Sequence, residues 1–116
     1  MRTLLVLNDP PYGTERSYNG LRLAGALAKR EETEVRVFLM GDAVACAVAG
    51  QKTPDGYYNL ERMIKLAANR GAEVGCCGTC LDARGIGDGL LTGGVRRSSL
   101  EELADWNVWA DKVVSF

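Results

Sequence analysis

The feature that most restricts the fold of this chain is the run Thr3-Leu4-Leu5-Val6-Leu7, which no charged residue interrupts. A strand with one wet face alternates apolar and polar residues, because successive side chains point to opposite faces of a sheet. A run without alternation needs cover on both faces, and a parallel sheet flanked by helices supplies it. Residues 34–40 repeat the signal, starting with alternation and ending in Val37-Phe38-Leu39-Met40. Between the two runs, Tyr18, Leu21, Gly25 and Ala28 recur at helical spacing, and Leu23 and Leu27 widen the apolar stripe. Thr14, after the turn-rich stretch Asn8-Asp9-Pro10-Pro11-Tyr12-Gly13, is placed to cap that helix near Glu15. The order strand, helix, strand predicts a crossover unit.

The remaining chain continues the alternation. Gly41-Asp42 opens an alanine-rich segment that favours a short helix containing Cys46, closed by Gly50. Residues 51–58, with Pro54, Asp55 and Gly56, read as an irregular loop. Asn59 is positioned to cap a helix that presents Leu60, Met63, Ile64, Ala67 and Ala68 on one face and stops at Gly71. A third strand follows from Ala72, and a short fourth is predicted near Val95 to Arg97. Ser98 and Ser99 stand three residues before Glu101 and Glu102, two overlapping capping-box registers for a helix through Trp109. The last six residues, from Asp111, read as a closing strand. The expected architecture is a single α/β domain over residues 1–116, three layers deep, with right-handed crossovers around a mainly parallel sheet. Such sheets place their sites at the carboxyl ends of the strands, where residues 8–12, Gly41 and Cys77 are expected to meet.

Composition removes whole classes of function. The formal net charge is −1, and no basic cluster exceeds Arg96-Arg97, so no stripe of cations is available to track a nucleic-acid backbone. No apolar run approaches the ~18 residues of a membrane span. The start of the chain lacks the features of a secretory signal, so a cytoplasmic protein is expected. Four cysteines in that compartment point to catalysis or metal before structural disulfides. There is no histidine, which excludes a Cys–His or Ser–His pair and any imidazole ligand. A four-cysteine zinc site is disfavoured, because adjacent Cys76 and Cys77 point to opposite faces of a strand and no second C-x-x-C pair exists.

The chemistry concentrates at Cys77-Gly78-Thr79-Cys80, where the third strand runs into a short helix. Free N–H groups at such a junction favour an anion, and a thiolate is one. Arg84, seven residues after Cys77, returns to nearly the same helical face. Cys77 and Cys80 are therefore the candidate reactive thiols, with Gly78, Thr79 and Arg84 as the groups that stabilise their charge. Asn8, Pro11 and Tyr12 are candidate ligand contacts from the first loop. Cys46 and Cys76 are expected to be buried structural thiols. The glycines between Gly85 and Gly89 neither follow a strand directly nor open a helix, so they are no dinucleotide loop. Trp106 and Trp109 are expected in the core or in a subunit contact.

Pro10-Pro11-Tyr12-Gly13-Thr14-Glu15-Arg16, Gly41-Asp42, Pro54-Asp55-Gly56-Tyr57-Tyr58-Asn59 and Cys77-Gly78-Thr79-Cys80-Leu81-Asp82-Ala83-Arg84-Gly85 together make the whole chain resemble the DsrE/DsrF-like family of small sulfur-relay proteins. The resemblance implies an α/β/α fold around a five-stranded parallel sheet, assembly into homotrimers or homohexamers, and a cysteine that carries persulfide sulfur. Cys77 occupies the family's acceptor position, while Cys80 is an additional cysteine of only part of the family. Donor and acceptor proteins would be its partners, and no external cofactor is implied. Two other readings of the residues stand beside this one: a C-x-x-C thiol–disulfide redox protein, and a non-catalytic oligomer whose Tyr57 loop closes over a small ligand.

Overall fold

A computed structural model describes residues Met1–Phe116. Its elements follow the alternation: β1 (Arg2–Leu7), α1 (Arg16–Ala28), β2 (Glu34–Leu39), a 3-10 helix (Gly41–Ala47), α2 (Leu60–Asn69), β3 (Glu73–Cys77), α3 (Gly78–Ala83), a 3-10 turn (Asp88–Leu90), β4 (Val95–Ser98), α4 (Leu100–Trp109) and β5 (Lys112–Ser115). The five strands form one sheet in the order β4-β3-β2-β1-β5, and every pairing is parallel. The alanine-rich segment after β2 is a 3-10 helix, tighter than the α-helix its composition favours.

From β1 to β4 each crossover steps one strand in the same direction, and right-handedness then keeps α1 and α2 on one face of the sheet. The return from β4 to β5 passes over three strands, so α4 crosses the other face. Side chains report this division. A Cβ on Gly20 of α1 would lie 2.4 Å from Leu7 Cδ2 and 3.1 Å from the Phe116 ring, so α1 sits so close to β1 that any larger residue there would displace the Leu7 side chain. On the opposite face, Trp106 of α4 sets its edge against Phe38 with ring centroids 6.1 Å apart. Arg36 lies over both Trp106 and Trp109 while pairing with Glu73 at 3.0 Å. One hydrophobic cluster of 23 buried residues runs through both layers, including Leu4, Leu5, Leu7, Val37, Phe38 and Leu39. β1 and β2 are central strands covered on both faces, and that is why the β1 run is unbroken and the β2 run ends without alternation.

The helix ends follow their local chemistry. Asn59 caps α2 by accepting the Arg62 N–H at 3.0 Å, and Gly71 ends it with φ at 100°. Ser99 caps α4 through the Glu102 N–H, while Ser98 donates to the Glu102 carboxylate that also holds Arg96. Of the two capping registers, the second is the one used. At α1 the N-cap position is Glu15, which makes no side-chain cap bond; the Thr14 hydroxyl accepts the Arg16 N–H instead, at 3.3 Å. No helix is long and apolar enough to cross a membrane.

Candidate functional site

β3 carries Val74, Gly75, Cys76 and Cys77 between β2 and β4 and passes into α3 without an intervening loop. Cys76 points toward the α1/α2 layer, with its thiol directed at the Val44 carbonyl at 3.9 Å. Cys46 is equally enclosed, its thiol 3.8 Å from the Asp9 carbonyl. Burial pushes both thiols up to about 12, so neither is a thiolate near neutral pH. They serve as small core residues.

Cys77 is the residue from which α3 starts, and only 6% of it is exposed. Its Sγ lies 3.3 Å from the Thr79 hydroxyl oxygen. The backbone N–H groups of Thr79 and Cys80 and the Cys80 thiol also favour its thiolate, without closing a strict cap hydrogen bond. Burial is the largest influence and acts upward, but these donors together outweigh it and the Cys77 thiol falls below its ordinary value. Cys80 moves the other way. Burial and the neighbouring Cys77 raise it, and the Gly41 N–H and the Arg84 charge offset this only in part. The two neighbouring thiols are thereby differentiated, Cys77 shifted toward its thiolate and Cys80 toward its protonated form.

Two clamps fix this turn. On the β2 side, the Gly41 N–H donates to Cys80 Sγ at 3.2 Å, and Arg84 reaches Asp42 Oδ1 through Nε and Nη2 at 3.1 and 2.7 Å. Arg84 Nη1 also donates to the Cys80 carbonyl. On the β4 side, Arg97 donates to the Gly78 carbonyl at 3.1 Å and pairs with Asp82 and Asp88. Gly78 is required for that approach: a Cβ there would stand 2.9 Å from Arg97 Nε and 3.0 Å from the Ser98 carbonyl oxygen. Arg84 is therefore engaged with Asp42 and Cys80, and Cys80 is the thiol that feels its charge.

The first loop contributes less directly. Asn8 turns toward the far edge of the sheet, donating from Nδ2 to Ser115 Oγ and the Phe116 carbonyl, both at 3.1 Å. β1 is two strands from β3, on the order of 10 Å at normal strand spacing. Pro11 is partly buried beside Tyr12 in the turn. Tyr12 adopts φ 67°, the only non-glycine residue with positive φ, and its hydroxyl donates to Gln51 and accepts the Leu60 N–H. Its ring belongs to a cluster with Tyr57, Tyr58 and Tyr18. Residues 51–58 have no regular structure but are stitched down by these rings and by Gln51, which donates to the Cys46 and Val48 carbonyls. Of the candidate residues, Cys77, Gly78, Thr79, Cys80 and Arg84 converge, while Asn8 and Tyr12 bond to neighbouring structure and Pro11 lies partly buried in the same turn.

Sequence reasoning overlooked Arg97. The signal was its place in a short strand after a glycine-rich turn, because a parallel strand paired with β3 must bring a residue beside the cysteine turn. No group of three or more acidic or cysteine side chains comes together in a metal-sized arrangement.

The profile of the DsrE/DsrF-like family matches residues 1–116. The chain belongs to the DsrE/DsrF-like family. It is similar to Protein YchN of Escherichia coli, with 42% identity over 116 residues, covering 99% of this chain and 98% of that one. The crystal structure of the YchN protein superimposes with a TM-score of 0.94 over 100% of this chain and 99% of that chain. A Methanopyrus kandleri protein, MK0008, is 36% identical over 112 residues, covering 97% and 91% of the two chains. At 13% identity the fold alone is shared with MTH1491 of Methanobacterium thermoautotrophicum, with a TM-score of 0.79 over 99% and 98% of the two chains. The DsrE-family chain thus has a sulfur-relay-type fold with a cysteine turn at the end of its third strand.

Proposed function

We propose that this DsrE-family protein carries sulfane sulfur as a persulfide on Cys77. The observation that carries the reading is a nearly buried thiol at the junction of β3 and α3, its Sγ 3.3 Å from the Thr79 hydroxyl, and its titration lowered below the ordinary value agrees with that placement. The Cys77 thiolate attacks the outer sulfur of a donor persulfide, the sulfur–sulfur bond of the donor breaks, and the donor leaves as its thiolate. Cys77 then holds the sulfur as Cys77–S–S⁻, with Thr79 and the N–H groups of the first turn balancing its charge. An acceptor thiolate attacks the terminal sulfur and regenerates Cys77. No external cofactor is required for either exchange. Donor and acceptor are proteins that present thiols, and the reducing cytoplasm is the compartment in which such thiols stay free.

A homotrimer or homohexamer suits this chemistry, because a neighbouring subunit would shield the terminal sulfur from bulk thiols. The decisive experiment is incubation with a persulfide donor followed by intact mass spectrometry. In samples quenched with acid directly after loading, wild type is expected to gain one sulfur atom and Cys77→Ser none; equal uptake by the two would overturn the assignment.

A further inference from the structure

Carriage of sulfur by Cys77 gives Cys80 no step of its own beyond favouring the Cys77 thiolate, although its Sγ is held by the Gly41 N–H and its carbonyl by Arg84. We propose that Cys80 discharges the sulfur held on Cys77, converting the persulfide into hydrosulfide and a Cys77–Cys80 disulfide; the inference rests on the carrier reading. Three observations support it.

The first is proximity. Cys77 starts α3 and Cys80 lies three residues on, in its first turn, a separation that brings two Cα atoms within the span of a disulfide. The second is access. A persulfide offers two sulfurs to attack, and the products differ. An outside thiol meets the terminal sulfur and takes it away. The inner sulfur is Cys77 Sγ itself, on a residue only 6% exposed, and Cys80 is the partly exposed thiol beside it. The third is placement. The Gly41 N–H holds Cys80 Sγ at 3.2 Å, and Arg84 binds both the Cys80 carbonyl and Asp42, next to Gly41. Charge that develops on Cys80 as its proton leaves is met by a fixed donor.

In the step itself, Cys80 Sγ attacks Cys77 Sγ and the Sγ–Sγ bond forms. The bond from Cys77 Sγ to the terminal sulfur breaks, and its electron pair leaves with that sulfur. The Cys80 proton follows, so Cys77–S–S⁻ and Cys80–SH become the disulfide and HS⁻. One negative charge stands on each side. The sulfane sulfur is reduced to sulfide, and the two cysteine sulfurs are oxidised to disulfide. A dithiol reductant resets the pair and leaves as its own disulfide. The protein then has two outlets for one cargo, transfer to an acceptor thiol or release as hydrosulfide.

The test loads the protein to completion with glutathione persulfide under anaerobic conditions, removes the excess, and follows sulfide with a bimane trap alongside intact mass. Wild type is expected to release one equivalent of sulfide and end two hydrogens lighter than the reduced chain, at a rate independent of protein concentration. Cys80→Ser, and Cys80→Ala as a second variant, are expected to keep the added sulfur and to release sulfide about a hundredfold more slowly, as lost intramolecular proximity requires. Wild type that stays loaded as long as both variants would overturn discharge and leave the carrier reading standing. Failure of wild type and both variants to take up sulfur would overturn both.

Discussion

Cys76 and Cys77 show how little separates a core thiol from a reactive one. Cys76, one residue away and on the opposite face of β3, sits among apolar groups and is pushed up to about 12. Cys77 meets the Thr79 hydroxyl and the donors of a helical turn, and moves down. Because the favoured form is the anion, its reactivity should persist as pH falls below the ordinary thiol range and disappear through the lowered value. Alkylation rate against pH is the measurement, and Thr79→Val should move the inflection upward by about one unit or less, since one partly solvated donor is removed. Gly78→Ala is expected to cost about 1–3 kcal/mol, read from the denaturation midpoint, because the new Cβ meets the Ser98 carbonyl as well as Arg97. The same variant should slow Cys77 alkylation, as the strand and the cysteine turn are forced apart.

Elements meet through a few polar bolts. Glu61 of α2, 8% exposed, accepts the Gly50 and Gln51 N–H groups, each at 3.0 Å, and the Thr92 hydroxyl at 3.0 Å. It joins the loop before α2 to the segment before β4. Burial presses its carboxyl upward, but Thr92, the Gln51 N–H and Lys65 together outweigh this and hold it below its ordinary value. A depressed carboxyl stabilises the fold at and above the ordinary carboxylate titration, and that contribution is lost as pH falls through the lowered value. Glu61→Ala should destabilise by about 2–3 kcal/mol at neutral pH, because buried donors are left unsatisfied, and should flatten the acid limb of a stability–pH curve. α4 has a comparable dependence on Trp106, whose ring fills the space over Phe38 and Gly75. Trp106→Ala is expected to cost about 4 kcal/mol in chemical denaturation.

For the whole molecule the question is what covers its remaining apolar surface. Trp106 is 3% exposed and belongs to the chain's own core, which removes it from the aromatics available to a partner. Tyr57, Leu100 and Val108 remain outside, with Val108 at 89%. Leu100, Ala104 and Val108 follow one another at four-residue spacing along one side of α4. Light scattering is expected to give a multiple of the 12.5 kDa chain mass, three or six, at micromolar concentration. A monomer would remove the shielding attributed to a second subunit.

The sequence by itself determined the βαβ alternation, the parallel sheet and the cysteine turn, because each depends on local causes. Unbroken apolar runs need two covered faces, Asn59 and Ser99 cap where their side chains reach the next turn, and a strand running into a helix sets Cys77 at its start. Tertiary structure alone decided which charges serve the site. Arg84 and Arg97 lie 13 residues apart and close on the cysteine turn from opposite sides, since β2 and β4 are the two neighbours of β3. Asn8, by contrast, has the right end of the right kind of strand but faces β5, because β1 has β5 as its other neighbour. Periodicity reports which face of a strand a residue occupies; the strand order determines which residues stand beside it.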